Sequence, residues 1–337
     1  MTDTYKLRDL KNAKRKENVL GWAMLTPYII LLLFFGVLPI VVGILMSFAK
    51  YNPYDANYTE FIGFANYIDI FNFSKKVSID FWTAFGATLL FDIIAIPCLI
   101  IIPLALAYLI NLKPPGYKIF RAIIYLPSVV SITIVGILFS GIFKDNTDGL
   151  INALFGTNIV FMNGNLFDGD QLRWMVMILA SIWWQTGTNF VIFLGALRDV
   201  PTSLYEACQM DGGNRWKEIL KVTLPNIKSS ISICMFNTLI GYLALYGQPV
   251  VINGDLNSST YFSPMMMIQS YLTAGSGAYA KKTGFICAVA VVFGIIVVAF
   301  SVVQRVVMKE RRQSDRHKNE FNQFMLLSYG GVVDESK

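Results

Sequence analysis

The side chains of this sequence that could bind a solute are polar groups within long apolar stretches. Gln185 and Asn189 are one helical turn apart, and Tyr242 and Tyr246 repeat that spacing further along the chain. Because amides hydrogen-bond hydroxyls and aromatic rings stack on the apolar face of a sugar, these residues predict a sugar-compatible lining. Interhelical hydrogen bonds and aromatic anchoring at the membrane interface explain the same residues without a substrate, so both interpretations stay open.

Two more polar side chains interrupt apolar stretches, the carboxylate of Asp92 and the amide of Asn237. An ionised carboxylate inside hydrocarbon needs water or a partner, because burying an unpaired charge is costly. Hydrogen bonding between helices, in a protonated or paired state, is the alternative for Asp92. The residues predicted to line a substrate pathway are Asp92, Gln185, Asn189, Asn237, Tyr242 and Tyr246.

The sequence lacks the residues that most catalytic and metal sites require. Its single histidine, His317, lies in a charged stretch, and its four cysteines are scattered. A serine–histidine mechanism, a histidine-ligated metal and a disulfide framework are therefore not expected. The segment Gly275–Thr283 comes closest to a phosphate-binding loop but lacks its second glycine. Any ATP that drives this protein must therefore be bound by a partner.

A polar segment between two apolar stretches has the pattern of a short helix, a tight turn and a second helix. Ser203 and Glu206 have the spacing of a capping box, which satisfies free amide groups at a helix start. Gly212 can adopt the left-handed conformation that ends a helix. Asn214 then opens a second helix, which we expect to end near Pro225.

Helical spacing places four residues of this segment on one narrow face of the first helix, namely Leu204, Ala207, Cys208 and Asp211. The face is small and mildly apolar, with a carboxylate at its end. Such a face can dock into a groove on another protein. An ordinary surface loop with one helical turn is the alternative interpretation.

The composition indicates an integral membrane protein. Of the 337 residues, 55% are hydrophobic and only 15% are charged, which is far outside the range of soluble domains. A bilayer requires roughly 20 apolar residues per helix, and six stretches meet this length. The predicted fold class is therefore all-α, a polytopic bundle of six transmembrane helices. The predicted spans are Leu20–Phe48, Ala84–Ile110, Ala122–Phe143, Trp174–Leu197, Ile227–Val250 and Gly284–Met308.

Lysine and arginine are distributed unevenly between the two sides of the predicted bundle. With alternating sides, 21 of the 28 basic residues fall at the two ends, in the loop after the second span and around Glu206. Cytoplasmic segments carry such an excess, so both termini and the Glu206 segment are expected in the cytoplasm. The net charge of +6 follows from this topology and requires no nucleic-acid partner.

The predicted organisation has three parts. Residues 1–19 form a cytoplasmic N-terminal segment, residues 20–308 form the transmembrane domain with the polar segment 200–225, and residues 309–337 form a cytoplasmic tail. The mixed charges after Lys309 indicate a solvated or loosely packed end.

The polar segment resembles the cytoplasmic motif of the permease subunits of bacterial ATP-binding-cassette importers. That motif reads E-A-A, three residues, G, nine residues, I-x-L-P. Glu206-Ala207-Cys208, Gly212 and Val222-Thr223-Leu224-Pro225 have the same gaps. The cysteine and the valine are conservative departures from the motif.

Other segments are similar to the sugar-permease branch of the same family, the maltose type, and together they cover most of residues 20–308. The sequence departs from this branch in one loop, where Asn253-Gly254-Asp255-Leu256 replaces the glycine-rich run that family members often carry. The resemblance implies that this loop contacts the solute-binding protein. The similar segments are Phe61–Tyr67, Phe120–Ala122, Leu126-Pro127, Trp184–Gly187, Phe193–Leu197 and Tyr246–Pro249.

The resemblance implies a non-enzymatic subunit that forms the translocation pathway of a sugar importer in the bacterial cytoplasmic membrane. The implied partners are a second related permease, a dimer of ATPase subunits that uses ATP and Mg²⁺, an extracytoplasmic solute-binding protein and membrane lipid. The chain itself is expected to bind no cofactor. The sugar's identity is open, and so is import of another polar solute.

The resemblance also implies roles for the residues of the polar segment. The helix Leu204–Asp211 would be the coupling helix that docks on the ATPase, with Ala207 and Cys208 keeping the contact close. The residues implied in coupling are Glu206, Ala207, Cys208, Asp211, Gly212, Leu224 and Pro225.

Two other classes of protein compete with this interpretation. An ATP-independent secondary transporter would be expected to have an inverted repeat or an ion relay, and neither is visible beyond Asp92. A membrane enzyme would need a catalytic constellation that this sequence does not provide.

Overall fold

The protein is described by a computed structural model for residues 18–53, 59–145, 148–161, 172–253, 263–273 and 282–330, with side chains up to Val306. Several predictions concern segments outside these described residues. They are the N-terminal segment before Asn18, the departure from the sugar-permease pattern after Asn253, residues 275–281 of the loop compared with a phosphate-binding loop, and residues 331–337.

The described residues are predominantly helical. The helices are α1 (Asn18–Ser47), α2 (Ala65–Ile70), α3 (Lys76–Asn111), α4 (Tyr117–Val129), α5 (Ile132–Ile142), α6 (Leu150–Phe155), α7 (Leu172–Arg198), α8 (Thr202–Met210), α9 (Arg215–Lys217), α10 (Leu224–Leu243), α11 (Gly247–Asn253), α12 (Pro264–Thr273) and α13 (Thr283–Gly330). Two short strands are β1 (Ala49–Lys50) and β2 (Glu60–Phe61). A π-helical stretch, Leu32–Val37, lies within α1, and another, Glu218–Thr223, joins α9 to α10.

Four of the described helices are long and apolar enough to cross a membrane. They are α1, α3, α7 and the Thr283–Val306 part of α13. Helices satisfy every backbone hydrogen bond internally, which is why apolar chain segments of this length adopt them in lipid. The corresponding four predicted spans are confirmed as helices, and their ends agree within two residues except that α3 begins at Lys76, eight residues before the predicted Ala84.

The predicted span Ala122–Phe143 is not one straight helix. α4 and α5 meet at an angle of 96°, and they count as a fifth span only if the bent pair is taken together. Val130 and Ser131 between them have extended backbones, with ψ of 141° and 138°. The carbonyl of Val130 accepts a hydrogen bond from the indole of Trp184 at 2.9 Å, so a neighbouring helix satisfies a group that the break frees.

The predicted span Ile227–Val250 is interrupted. α10 ends at Leu243, and α11 begins only at Gly247. A Cβ on Gly247 would lie 2.9 Å from Ile132, so the chain approaches α5 closely here. α10 does not reach the apolar character of the four spans among the described helices, since it carries Lys228 and Asn237. A six-span count therefore stays a prediction.

The described chain divides into two compact units, one within Met1–Asn72 and Tyr271–Val292, the other within Phe73–Ser270 and Phe293–Lys337. In the first unit, the end of α1 is held by α2. Asn66 donates to the carbonyl of Ser47 at 2.8 Å, and the Ser47 and Tyr67 hydroxyls are 2.6 Å apart. β1 pairs antiparallel with β2, with Lys50 opposite Glu60.

The second unit contains two apolar cores along α3. The first core surrounds Phe91 and takes Met177 from α7 and Tyr242 from α10. The second core surrounds Ala107 and takes Phe193 from α7, and it also receives side chains from α8 and α10. α3, α7 and α10 therefore form the frame that positions the polar segment at one end of this unit.

The backbone after Lys309 is helical as far as Gly330, as the last part of α13, and a solvated or loosely packed end stays a prediction. This stretch contains no proline and no glycine before Gly330, and it is rich in lysine, arginine, glutamate and glutamine. Those residues lose little side-chain freedom in a helix, which favours its continuation.

Candidate functional site

The first helix of the polar segment is α8, which begins earlier than the predicted Leu204–Asp211. The predicted capping box is wrong, because Pro201 occupies the N-cap position and no side chain caps the helix start. Proline supplies the fixed backbone angle that this position needs but has no side-chain acceptor. Ser203 and Glu206 consequently lie inside the first turns of the helix, where the side chain of Glu206 is exposed.

The end of α8 has the predicted glycine turn. Gly212 has φ of +71°, the left-handed conformation that closes a helix. Its amide donates to the carbonyl of Gln209 at 3.0 Å, and the amide of Gly213 donates to the carbonyl of Cys208 at 2.8 Å. A Cβ on Gly213 would lie 2.5 Å from the Cys208 carbonyl oxygen, so this position has no room for a side chain.

α8 has an inner and an outer face. Tyr205 and Cys208 are half-buried and pack against the second core, whereas Glu206, Ala207 and Asp211 are exposed. The single docking face predicted from spacing is therefore divided. Cys208 contacts the bundle, because the second core offers it a packing partner, and the remaining residues of that face stay accessible.

The second helix of the segment starts as predicted but does not end at Pro225. The Asn214 side chain accepts a backbone amide hydrogen bond at 3.0 Å and caps α9. The chain then widens into the π-helical stretch Glu218–Thr223, in which the Leu224 amide bonds to the carbonyl of Ile219. Pro225 follows in the first turn of α10, where a missing amide donor costs little.

Two side-chain hydrogen bonds join α8 to this π-helical stretch. The Tyr205 hydroxyl lies 3.1 Å from Oγ1 of the buried Thr223, and Gln209 Nε2 donates to Glu218 Oε1 at 2.8 Å. We call this pair of bonds the α8 clamp. None of the four residues was predicted as functional. The available signal was the one-turn spacing of Tyr205 and Gln209 on the side of the helix away from Ala207.

Large apolar side chains are exposed beside the outer face of α8. Met210 is 89% exposed, Trp216 in α9 is 72% exposed and Leu220 is 62% exposed. Together with the exposed Glu206 and Asp211 of the same segment, they form a set of apolar and charged side chains of the kind found in protein interaction surfaces. We call this set the outer surface.

Four of the six predicted pathway residues line one cavity. It has a volume of about 330 Å³ and lies against α7, α10 and the start of α11, and we call it the membrane cavity. Gln185, Asn237, Tyr242 and Tyr246 all contribute to its wall. The other lining residues are Ile132, Trp184, Thr238, Gly241, Ala244, Leu245 and Gly247.

The remaining two predicted pathway residues do not line the membrane cavity. Asn189 is buried and donates to the carbonyl of Leu99 at 2.9 Å and to the hydroxyl of Thr238 at 3.3 Å. Its amide therefore joins α3, α7 and α10, as the interhelical alternative predicted. Although Asn189 follows Gln185 by one turn, it contacts α3, so the shared face does not become a shared lining.

Asp92 is buried at the core between α3 and α10. It is 2% exposed, and neither carboxylate oxygen accepts a hydrogen bond from any described residue. Beside Tyr242, the Ser181 hydroxyl donates to Oε1 of Gln248 at 2.7 Å, and Gln248 is fully buried. Ser181 and Gln248 were not predicted from the sequence.

The described residues contain no group of three or more side chains that could hold a metal ion. What the arrangement provides is a polar-lined cavity within a helical bundle and a clamped surface helix. Neither feature is a set of acid, base and nucleophile, and both are features that can bind and move.

The family described as "Binding-protein-dependent transport system inner membrane component" matches residues 98–312. This range contains α8, the α8 clamp, the outer surface and the whole lining of the membrane cavity. Among the predicted site residues, Asp92 alone lies before it.

Several curated proteins are similar to this chain. The probable ABC transporter permease protein YesP of Bacillus subtilis (strain 168) is 30% identical over 256 residues, which cover 73% of this chain and 80% of YesP. The arabinooligosaccharides transport system permease protein AraP of the same organism is 28% identical over 297 residues, covering 88% of this chain and 90% of AraP. The lactose transport system permease protein LacF of Rhizobium radiobacter is 26% identical over 309 residues, covering 89% of this chain and 97% of LacF.

A solved structure has a similar fold. It is the crystal structure of a bacterial alginate ABC transporter in complex with alginate pentasaccharide-bound periplasmic protein, with a TM-score of 0.66 and 22% identity over 87% of this chain and 94% of that chain. At this identity the likeness concerns the fold. The family match over more than half of the sequence, together with YesP at 30% identity, shows that the chain belongs to the binding-protein-dependent transport system inner membrane components.

Proposed function

We propose that this protein is the permease subunit of an ATP-driven, binding-protein-dependent importer and forms the translocation pathway for a sugar or oligosaccharide. The observation that carries the proposal is the way in which the α8 segment is exposed on one face and hydrogen-bonded on the other. The segment presents an exposed outer surface to a partner, while its inner face is held by the α8 clamp to the π-helical stretch that leads into α10. A helix built this way can pass a pull from a partner to the bundle.

The partner on the outer surface is inferred to be an ATPase subunit. Glu206 and Asp211 are suited to basic groups, and Met210 and Trp216 offer apolar contact area that a lone surface helix does not need. Closure of an ATPase dimer on ATP and Mg²⁺ would move α8, and the bonds from Tyr205 and Gln209 would transmit that motion to the start of α10.

The pathway is inferred to run along the membrane cavity. Its lining combines the amides of Gln185 and Asn237 with the rings of Tyr242, Tyr246 and Trp184. Amides can replace water around sugar hydroxyls, and rings can pack on the apolar face of a pyranose. The sugar class also agrees with the relatives named for arabinooligosaccharides and lactose.

The remaining parts of the proposal follow from the family and the charge pattern. A second related permease, two ATPase subunits and an extracytoplasmic solute-binding protein would complete the importer in the bacterial cytoplasmic membrane. The permease domain would comprise residues 20–308 with six spans, the bent α4–α5 pair and the α10–α11 pair each counted once. Residues 1–19 and 309–337 would be cytoplasmic, in line with the excess of lysine and arginine there.

Transport in reconstituted vesicles tests the proposal. With the second permease, the ATPase subunits and the binding protein, the wild-type chain should import a labelled oligosaccharide only when ATP is present. Glu206→Lys should abolish uptake and weaken ATPase retention, because it reverses a charge on the outer surface. Asp199→Lys reverses an exposed charge outside α8 and is the matched control. Equal uptake by wild type and Glu206→Lys would contradict the docking role.

The same vesicles test the pathway. Gln185→Ala and Tyr246→Ala should lower uptake several-fold while ATPase binding is retained, because they alter the lining and leave the outer surface intact. Thr188→Ala, an exposed position on α7 outside the membrane cavity, is the control. Unchanged kinetics in both lining variants would remove this cavity from the pathway. An importer of another polar solute would show ATP-dependent uptake of that solute and none of the oligosaccharide.

A further inference from the structure

A second cavity lies against α8 and the start of the π-helical stretch. It has a volume of about 670 Å³ and is bounded by the end of α3, the connection to α4, the end of α7, and α8 with α9. We call it the basic cavity. Its size is that of pockets that hold small organic molecules. Its lining residues are Tyr108, Ile110, Asn111, Leu112, Lys113, Tyr117, Leu197, Arg198, Val200, Thr202, Tyr205, Gln209, Arg215 and Glu218.

The charge of this lining is predominantly positive. Lys113, Arg198 and Arg215 contribute three cations from three different parts of the chain. None of the three forms an ion pair with another residue in the part of the chain that the structure describes. The only carboxylate in the lining, that of Glu218, accepts the clamp hydrogen bond from Gln209. The cavity therefore has a surplus of cationic donors for an anion.

One of these cations, Lys113, has an unfavourable backbone conformation. Lys113 has φ of 53°, a left-handed conformation that is uncommon for residues other than glycine. Its amide closes the end of α3 by bonding to the carbonyl of Ile110 at 3.0 Å. Glycine would occupy this turn without strain, so this chain has a lysine at a position whose backbone conformation favours glycine.

Other groups in the lining suit a phosphate attached to a ring. Arg198 and Arg215 can each bind phosphate oxygens through two parallel N–H donors. The first residue of α8, Thr202, brings the positive end of a helix dipole to the cavity wall. The rings of Tyr117 and Tyr205 can pack against an uncharged ring or sugar portion.

We propose that the basic cavity binds a phosphorylated small molecule of the sugar-phosphate class, and that occupancy regulates the importer by bracing the inner face of α8. Tyr205 and Gln209 belong both to the cavity lining and to the α8 clamp, so a bound ligand contacts the groups that join α8 to α10. The regulatory part rests on the proposed function, whereas the binding part does not.

Direct binding tests the site. The full chain with its ATPase, in nanodiscs of phosphatidylcholine, is titrated with glucose 6-phosphate, with inorganic phosphate and with glucose. We expect saturable binding of glucose 6-phosphate, weaker binding of inorganic phosphate and none of glucose. Arg198→Glu should weaken binding at least about tenfold, since it replaces a charge-assisted contact by repulsion. Lys221→Glu, an exposed cation outside the cavity, should bind like wild type.

Lys113→Gly is a second variant, which tests the site even if Arg198→Glu does not fold. Glycine relieves the left-handed backbone, so this protein should fold at least as well as wild type and still bind less glucose 6-phosphate. Absence of saturable binding, equal binding by Arg198→Glu, or loss of binding when phosphatidylglycerol is added to the nanodiscs would overturn the site. The last result would indicate a lipid headgroup as occupant. Binding only without the ATPase would also overturn it, since the ATPase would then fill the cavity.

The regulatory part of the proposal is tested separately. The measured quantity is the rate of ATP hydrolysis by the ATPase when the solute-binding protein stimulates it. Saturating glucose 6-phosphate should change that rate in wild type and leave the rate of Arg198→Glu unchanged. Binding without any effect on hydrolysis would overturn regulation. Because titration needs no transport, a chain that binds glucose 6-phosphate but imports nothing would contradict the proposed function and leave the site standing.

Discussion

At the scale of single residues, the buried side chains of Asp92 and Asn189 differ in whether their polar atoms form hydrogen bonds. Asn189 uses its amide to donate to Leu99 and Thr238, so its burial is compensated. Asp92 is as deeply buried, and its carboxylate oxygens accept no hydrogen bond from any residue that the structure describes. A buried polar group is stable in the membrane only when it is satisfied or uncharged.

An isosteric exchange separates these two residues. Asp92→Asn should leave the melting temperature unchanged or raise it, because an amide cannot ionise in the apolar core. Asn189→Asp should lower stability by about 1–3 kcal/mol, because it removes the donor and places a carboxyl against the carbonyl of Leu99. Thermal unfolding of the purified chain in one detergent measures both. A lower melting temperature for Asp92→Asn would indicate that the carboxylate has a stabilising partner.

The two glycines after α8 are required for different physical reasons. Gly212 is required for its conformation, with φ of +71° and open space around the missing Cβ, while Gly213 is required for its size. Gly212→Ala should cost about 1 kcal/mol, because a left-handed alanine is strained. Gly213→Ala should cost more, because its Cβ would meet the backbone of Cys208.

A rescue variant and a control distinguish the two reasons in thermal unfolding. Gly212→Asn should recover part of the loss, since asparagine tolerates the left-handed region, whereas Gly213→Asn should not. Gly195→Ala, in the last turn of α7 with nothing near its Cβ position, should be neutral or stabilising. Equal losses in Gly212→Ala and Gly195→Ala would contradict the conformational role.

At the scale of elements, the π-helical stretch between α9 and α10 connects the α8 segment to the bundle. Its wider turn lets one helix run past Pro225, and it places Thr223 and Glu218 where α8 can bond to them. Two side-chain hydrogen bonds therefore connect the chain on the two sides of the glycine turn. A rigid connection is needed if a pull on α8 is to move α10 rather than bend the loop.

Removing one hydroxyl from the α8 clamp tests this connection. Tyr205→Phe deletes the bond to Thr223, whose net contribution is about 1 kcal/mol, and should lower the amount of solute imported per ATP hydrolysed. Tyr117→Phe is the matched control, because its hydroxyl lines the same cavity but bonds to no described residue. The ratio of uptake to phosphate release measures the effect. The same ratio in both variants would show that the clamp does not transmit motion.

At the scale of the whole molecule, the number of spans determines where the two ends lie. Four described helices can cross a membrane, and the bent α4–α5 pair makes a fifth if it is counted as one span. Five spans would place the termini on opposite sides, whereas six place them on the same side. The excess of basic residues at both ends favours the same side.

Reporters at both ends decide between these topologies. Fusions before Met1 and after Lys337 should both be active in the cytoplasm and inactive outside, because α10 with α11 then completes a sixth crossing. A reporter inserted within residues 54–58, after α1, should read the opposite side and serves as the control. A periplasmic reading after Lys337 with a cytoplasmic reading before Met1 would reduce the count to five.

Much of this protein is encoded locally in its sequence. Apolar length alone predicts α1, α3, α7 and the apolar part of α13, because lipid leaves a backbone no hydrogen-bond partner except itself. The turn at Gly212 and the cap at Asn214 were also predictable, since each depends on the conformational preference of one residue and its near neighbours. The family motif across the α8 segment is likewise a matter of spacing along the chain.

Only the tertiary structure determined how these pieces face one another. Gln185 and Asn189 are one helical turn apart, yet Gln185 lines the membrane cavity and Asn189 bonds to Leu99, 90 residues away in sequence. Cys208 packs against the bundle because the second core has room for it, and Pro225 continues a helix because the preceding turn widens. Spacing fixes which side chains share a helix face, but the neighbours that cover that face come from distant parts of the chain.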